Sequence, residues 1–287
     1  MTDVLTQLVD LLSLEPIEKN LFRGQSQDLG WGQVFGGQVL GQSLSAAAQT
    51  VPENRHVHSF HGYFLLPGDV SRPIVYDVDR ARDGGSFTTR RVSAIQNGEK
   101  IFTMAASFQV EEEGFEHQEE MPEVPGPEGL PSQTELARRI ADQIPSPLRE
   151  RFTAASPIET RPIDPINPFD PDARPPESAV WYRAAGDLPD DPSVHQYLLA
   201  YASDFNFLAT SMYPHAVSWL TPGMQVASLD HAMWFHRPFR MDDWVLHVVE
   251  SPSATGGRGL VRGRIYDREG NLVASTAQEG LIRKRSK

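Results

Sequence analysis

Cysteine is absent from all 287 residues, which excludes disulfide scaffolds, thiolate metal sites and cysteine nucleophiles together. No stretch approaches the ~18 consecutive apolar residues that a membrane-spanning helix needs. The N-terminus carries Asp3 and Asp10 where a secretory leader would have a basic start and an apolar run, so no leader is expected. The last residues read RKRSK and lack the terminal leucine of a peroxisomal address. A cytoplasmic setting is the expectation. Cations are in short supply, with 26 Lys and Arg against 38 Asp and Glu and a formal charge of -12, which argues against nucleic acid as a general partner. Part of that surplus is local. EEEGFEHQEE opens a segment at Glu111 with no Lys or Arg before Arg138, so a basic patch elsewhere can still hold an anionic ligand. The nucleophile elbow G-x-S-x-G is missing as well, which removes the strand-to-helix turn on which many serine hydrolases mount their nucleophile.

What is present is an order of elements that occurs twice. A short amphipathic helix, TDVLTQLVDLLSLEP, carries Val4, Leu5, Leu8, Leu11 and Leu12 on one stripe, with Thr2 as its cap and Pro16 as its stop. A longer helix starts at Gly36-Gly37 and ends before Pro52. Strands follow in HVHSFHGYFLLPGD, PIVYDVDRARD, SFTTRRVSAIQNGEK and IFTMAASFQV, divided by the hairpin signals Asp83-Gly84-Gly85 and Asn97-Gly98. Residues 113–157 form an acidic, proline-rich linker with one helical piece, TELARRIADQI. Beyond it the order returns. A helix is expected through DPSVHQYLLAYASDFNFLATSM, then strands in MQVASLDHAMWFHRP, DWVLHVVESPSATGG, RGLVRGRIYDREG and NLVASTAQEGLIRK. His61 and His231, Pro67 and Pro238, Arg90 and Arg262, and Gly98 and Gly270 stand about 170 residues apart. IEKNLFRGQ and IETRPID match as short strands before each helix, and one extra residue between His231 and Pro238 suggests a bulge. The reading is α+β, with two tandem units, 1–112 and 158–287, each a curved antiparallel sheet around one helix.

The window ASLDHAMWFHRP brings Ser228, Asp230 and His231 together, the residue types of a hydrolase triad. Strand alternation places Ser228 and Asp230 on one face and His231 on the other, so a local triad is not expected to form. Elsewhere in the second unit, Asp204 sits at the edge of the apolar stripe Leu198, Tyr201, Phe205, Leu208 and Met212. A carboxylate there either bonds a nearby amide, faces water, or is a base adjusted by burial. Gln278 shares a strand face with Leu272, Ala274 and Thr276; its amide can hold a water or be an ordinary edge-strand group. A rival base is His58, the counterpart of Ser228 in the first unit, which with His56 also permits a metal pair, although no third ligand is evident.

The strings LFRGQSQDLGWGQVFGGQVLGQSL, HVHSFHGYFLLPGD, RDGGSFTTRRVSAIQNGEKIFTMAASFQ, VHQYLLAYASDFNFL, SLDHAMWFHRPFR and GLVRGRIYDREGNLVASTAQEGLIR resemble the acyl-CoA thioesterase II family, whose members are double hotdog proteins. The resemblance implies hydrolysis of fatty acyl-CoA without a cofactor or metal. It places the active site on Asp204, Ser228 and Gln278, with water as the nucleophile, and implies further association into a homodimer or homotetramer. An acyl slot would draw on Tyr197, Tyr201, Phe205, Met233 and Trp234. CoA phosphates would draw on Arg90, Arg91, Arg258, Arg262 and Arg264 or on the tail cations Arg283, Lys284 and Arg285. His58, Tyr201, Phe205, Arg258 and Arg262 are the substrate-binding candidates. A hotdog enoyl-CoA hydratase and a non-catalytic acyl-CoA sensor are the competing readings.

Overall fold

The computed structural model describes residues 1–146 and 148–285; the last two residues, on which the expectation about a peroxisomal address bears, lie outside it. In chain order the elements are α1 (Asp3–Leu12), β1 (Glu15–Glu18), β2 (Leu21–Gly24), α2 (Gly36–Ala48), β3 (His56–Phe64), β4 (Ile74–Asp83), β5 (Phe87–Gln96), β6 (Glu99–Gln109), α3 (Gln133–Arg139), α4 (Leu148–Thr153), β7 (Ile158–Pro162), β8 (Glu177–Ala184), α5 (Pro192–Ser203), β9 (Met224–Ser228), β10 (Asp230–Phe235), β11 (Val245–Thr255), β12 (Arg258–Tyr266) and β13 (Leu272–Lys284). None of the described helices is long and apolar enough to cross a membrane.

One antiparallel sheet takes in every described strand. Its path runs β1-β2-β4-β5-β6-β3-β10-β13-β12-β11-β8-β7, with β9 paired to β13. The order reads as a palindrome about the β3–β10 seam, where Tyr63 faces Asp230 and Ser59 faces Trp234. Each strand of the first half thus has a counterpart in the second, and the double hotdog arrangement is present. The turn signals act as their chemistry requires. Asn97 and Gly98 both take positive φ, 52° and 79°, which only a residue pair of this kind adopts readily.

The two central helices lie antiparallel in van der Waals contact. A Cβ on Gly37 would fall 2.2 Å from the Tyr201 carbonyl oxygen, and one on Gly41 would fall 3.0 Å from that of Tyr197. Glycine therefore sets how closely α2 and α5 approach. Nearly all of α2 is buried, so its polar members must find partners inside. Gln42 does so with the Leu11 and Gln25 carbonyls and the Tyr76 hydroxyl.

Several expectations need correction. Thr2 does cap α1, but the helix ends at Leu12 because Ser13 is already extended, and Pro16 lies inside β1. The segment IETRP is β7, the counterpart of β1, while β8, unassigned above, is the counterpart of β2. The helical piece of the linker starts at a Ser132–Glu135 capping box but breaks at Ile140, whose φ of -112° leaves the helical region. The helix expected through Met212 stops at Ser203; Asn206 turns left-handed at φ 54°, and a 3-10 segment, Leu208–His215, keeps Leu208 and Met212 buried.

The linker is also no loose tether. Met121, Val124 and Leu130 cover Trp181, Trp244, Leu246 and Tyr266 on the outer face of the second half. Trp181 Nε1 donates to the Pro125 carbonyl at 2.9 Å, and the Gln118 amide joins Gly270 O and Leu272 N. Leu272 is thus turned toward this strap, away from the face it was expected to share with Gln278. Apolar side chains on both faces of β8 and β11, Trp181 and Leu246 outward and Tyr182 and Val245 inward, demand such a cover, and proline keeps the covering chain extended.

Candidate active site

Asp204 caps the C-terminus of α5 rather than riding on its face. Its side chain turns inward, 6% exposed, against the start of α2, where a Cβ on Gly36 would meet Oδ2 at 2.5 Å. Burial pushes its pKa up to about 6; hydrogen bonds from the Gln278 side chain and the Gly37 amide pull in the opposite direction and are outweighed. A carboxyl poised there can exchange a proton near neutral pH.

The structure brings Ser228 and Gln278 to the same carboxyl. Gln278 Nε2 donates to Asp204 Oδ1 at 2.8 Å and to Ser228 Oγ at 2.9 Å. Both amide hydrogens are thereby spent, which fixes the orientation of the amide. Gln278 Oε1 remains buried with no partner, and the Ser228 hydroxyl keeps its own hydrogen to donate. The three residues come from α5, β9 and β13, so the site is assembled across the second half.

A bulge that the sequence did not suggest comes just before His231, and it changes the local geometry. Ser228 pairs with Gly280 while Ala232 pairs with Ala277, which leaves one extra residue at Leu229–Asp230; a second two-against-one irregularity falls inside the expected window, where the His236 and Arg237 amides both donate to the Val273 carbonyl. The Leu229 amide still donates to Glu279 O, and its carbonyl accepts from Phe64 N. The alternation assumed above is therefore broken. Ser228 and His231 both face the helices, and Asp230 faces outward. There its carboxylate meets His61 Nε2 at 3.0 Å and accepts from the Glu279 amide at 2.6 Å. No triad forms, but for a different reason: Asp230 is on the wrong face, and His231 is bonded to Ser203 at 3.0 Å.

Around the carboxyl stands an aromatic wall. Phe35 stacks on Phe205 at 4.6 Å, and Tyr201 sits edge-on to both at 5.2 and 5.4 Å. The Phe64 ring approaches Gly36, 3.1 Å from where a Cβ would stand. Phe35 and Phe64 were not singled out from the sequence; the available signal was an aromatic directly before Gly36-Gly37 and another at the end of a strand. Met233 is fully buried, whereas Trp234 is 43% exposed on the outer face and lines no slot.

The remaining candidates sit apart. His58 bonds Ser107 at 2.8 Å and lies edge-on to Phe87, and burial lowers its pKa. A bulge between Val57 and Ser59 takes it out of step with His56. Arg258 is exposed and paired with Glu279 at 2.9 Å, and Arg262 with Glu250 at 2.6 Å; neither touches Asp204, Ser228 or Gln278. Arg264 is held by Glu119. Arg90 is no phosphate ligand in waiting. It is 1% exposed and spends its guanidinium on Thr50, on the carbonyls of Arg82 and Thr89, and on Asp83. Arg90→Met is expected to lower stability by about 3 kcal/mol, since it orphans buried carbonyls; a urea melt reads this directly.

Two family models match the chain. One, described as acyl-CoA thioesterase, covers residues 147–281, and one, described as acyl-CoA thioesterase N-terminal domain, covers residues 26–109. The chain is 48% identical to acyl-CoA thioesterase 2 of Haemophilus influenzae across 99% of both chains. It is 41% identical to human acyl-coenzyme A thioesterase 8, over 95% of this chain and 88% of the human one. The crystal structure of acyl-CoA thioesterase II TesB2 from Mycobacterium marinum superposes with a TM-score of 0.78 at 41% identity, covering 98% of each chain. A hot dog protein of unknown function from Alicyclobacillus acidocaldarius shares the fold at TM-score 0.78 and 21% identity, over 98% of this chain and 99% of that one. With both halves matched and relatives aligned nearly end to end, the chain belongs to the acyl-CoA thioesterase II family and is a double hotdog thioester hydrolase.

Proposed function

We propose that this enzyme hydrolyses medium- to long-chain fatty acyl-CoA to free fatty acid and CoA by direct attack of water, with Asp204 as general base. The observation that carries the reading is the Gln278 amide, which holds a buried carboxyl of pKa about 6 and the Ser228 hydroxyl in one hydrogen-bonded group. A water there gives one hydrogen to Asp204, accepts from the Ser228 hydroxyl, and can give its second hydrogen to the unpartnered Gln278 Oε1. As the water oxygen bonds to the thioester carbon, its proton passes to Asp204 and the carbonyl electron pair moves to oxygen. On collapse the C–S bond breaks, and the departing sulfur takes the proton from Asp204. Phe35 gives α2 no cap of its own and Asp204 takes the Gly37 amide, which leaves the Gly36 N–H to face the developing oxyanion. The aromatic wall of Phe35, Tyr201 and Phe205 meets the acyl chain.

The test is release of free thiol from acyl-CoA esters of increasing chain length. Thiol release that rises from short to medium and long chains supports the proposal. Binding without thiol release would make the protein a sensor, and loss of enoyl-CoA absorbance without free thiol would make it a hydratase. Ser228→Ala is expected to lower kcat about tenfold, the yield of one hydrogen bond, with no acyl-enzyme at any time. An acyl adduct on Ser228 by mass spectrometry would replace the water mechanism with a covalent one.

A further inference from the structure

His231 has a ring nitrogen that the resting fold does not use. Its Nε2 lies 3.0 Å from Ser203 Oγ, and the Ser203 hydroxyl donates to the Ala200 carbonyl at 3.0 Å. With that hydrogen spent, Nε2 must be the donor, and Nδ1 is left with a lone pair. Nδ1 is buried without a partner, and Asp204 Oδ1 stands 3.9 Å away. The ring cannot turn aside, because Phe60 stacks on one side at 6.1 Å and Phe207 leans on it at 5.6 Å. A buried acceptor with no donor is costly and calls for an explanation. An ionised Asp204 has no hydrogen to offer it; a protonated Asp204 has one.

We propose that His231 is a positioning residue for the base: its Nδ1 accepts a hydrogen bond from the Asp204 carboxyl once that group has taken the proton of the attacking water. The inference rests on Asp204 being the general base. It requires the 3.9 Å gap to close by about 1 Å, within reach of a carboxyl rotation at a helix end. The proton stays on Asp204. Burial holds His231 neutral, with a pKa of about 3, and the neighbouring histidines His247 and His61 add to that. The other titratable groups packed around the pair are neutral or already bonded: His247 to Thr276, His61 to Asp230, and the Tyr182 hydroxyl to the Phe205 carbonyl. None supplies a charge that would favour an imidazolium. His231 thus strengthens the base by stabilising its protonated form, the form that develops in the transition state.

His231→Gln keeps a nitrogen for Ser203 and removes the acceptor facing Asp204, whereas His231→Asn places an amide oxygen near the position of Nδ1. In His231→Gln the acid limb of the kcat/KM profile is expected to move roughly one pH unit lower, and kcat to fall about tenfold, the yield of one hydrogen bond. KM should stay within twofold, and His231→Asn should recover most of the rate. A folded His231→Gln enzyme with the wild-type acid limb overturns the inference, as does a uniform loss in both variants with the limb unmoved. If His231→Gln does not fold, Ser203→Ala, which frees the tautomer, is expected to move the limb in the same direction; an unmoved limb there is equally fatal. Asp204→Asn in parallel separates the two ideas: full activity in that variant sinks the base assignment, while a dead variant beside an unmoved His231→Gln profile sinks only the role of His231.

Discussion

Asp204→Asn is expected to cut kcat by about 10²–10⁴-fold, the range that a general base supplies, while KM for acyl-CoA changes little. The amide is nearly isosteric and can keep its oxygen toward the Gln278 Nε2 that now bonds Oδ1, so the Gln278 contact survives while the basicity is lost. In the wild type kcat/KM should rise with pH and level off above about 6, the pKa that burial gives this carboxyl. The same substitution should stabilise the protein. The folded state holds the Asp204 proton more tightly than the unfolded chain, whose value is 3.8, so raising the pH from there to about 6 progressively costs the fold, and the full cost remains above it. Two units amount to about 3 kcal/mol. The variant, which never ionises, should therefore melt several degrees higher than wild type at pH 8, and the two should converge as the pH falls below 4. Thermal melts across pH beside thiol-release kinetics check both halves. A variant that is inactive but no more stable at pH 8 would mean that the carboxyl is solvated after all.

Gly37→Ala should produce the largest structural effect. The added methyl would sit 2.2 Å from the Tyr201 carbonyl oxygen and 2.5 Å from the Phe35 ring, and one of those neighbours is backbone. The two central helices must separate, at a cost of about 3 kcal/mol or more, the upper range for overpacking. The Gly37 amide, which pulls the Asp204 pKa down, would move away with α2. A melt should show the lost stability, and kcat should fall at least tenfold even in protein that remains folded at low temperature. Gly41→Ala, where the corresponding approach is 3.0 Å, should cost less and leave kcat near wild type. Equal effects at the two positions would show that the loss is general loosening of the helix pair.

The element order was legible because hydrophobic alternation and Asn-Gly or Asp-Gly turns are local signals, and β3 through β6 follow them closely. Failures occurred where a tertiary partner decides. Asp204 ends α5 because its side chain is held by residues far along the chain, Gln278 among them, and no helix pattern records that. The Leu229–Asp230 bulge is set by pairing with β13 and β3; leaving it out inverts the faces of Asp230 and His231. By composition the segment reads as a linker, because its order comes from Trp181, Trp244 and Tyr266 beneath it. Residue type and face raise Asp204, Ser228 and Gln278 one by one, and only the family resemblance joins them into one site, since each alone is an unremarkable polar residue. The unpaired Nδ1 of His231 is invisible without coordinates.

The palindromic sheet also has a consequence for solubility. A sheet joined at its middle keeps two open margins, and an unpaired margin is a template on which further copies can stack. Here the margins are β1, whose four residues Glu-Pro-Ile-Glu are all exposed, and β7, which ends in Pro162. Proline offers no N–H to an incoming strand, and Glu18 sets like charge against like in a second copy, Glu15 being paired with Arg23. Pro16, which the sequence suggested as a helix stop, is better understood as a guard against fibre growth at the rim, and Pro162 holds the matching post at the opposite rim.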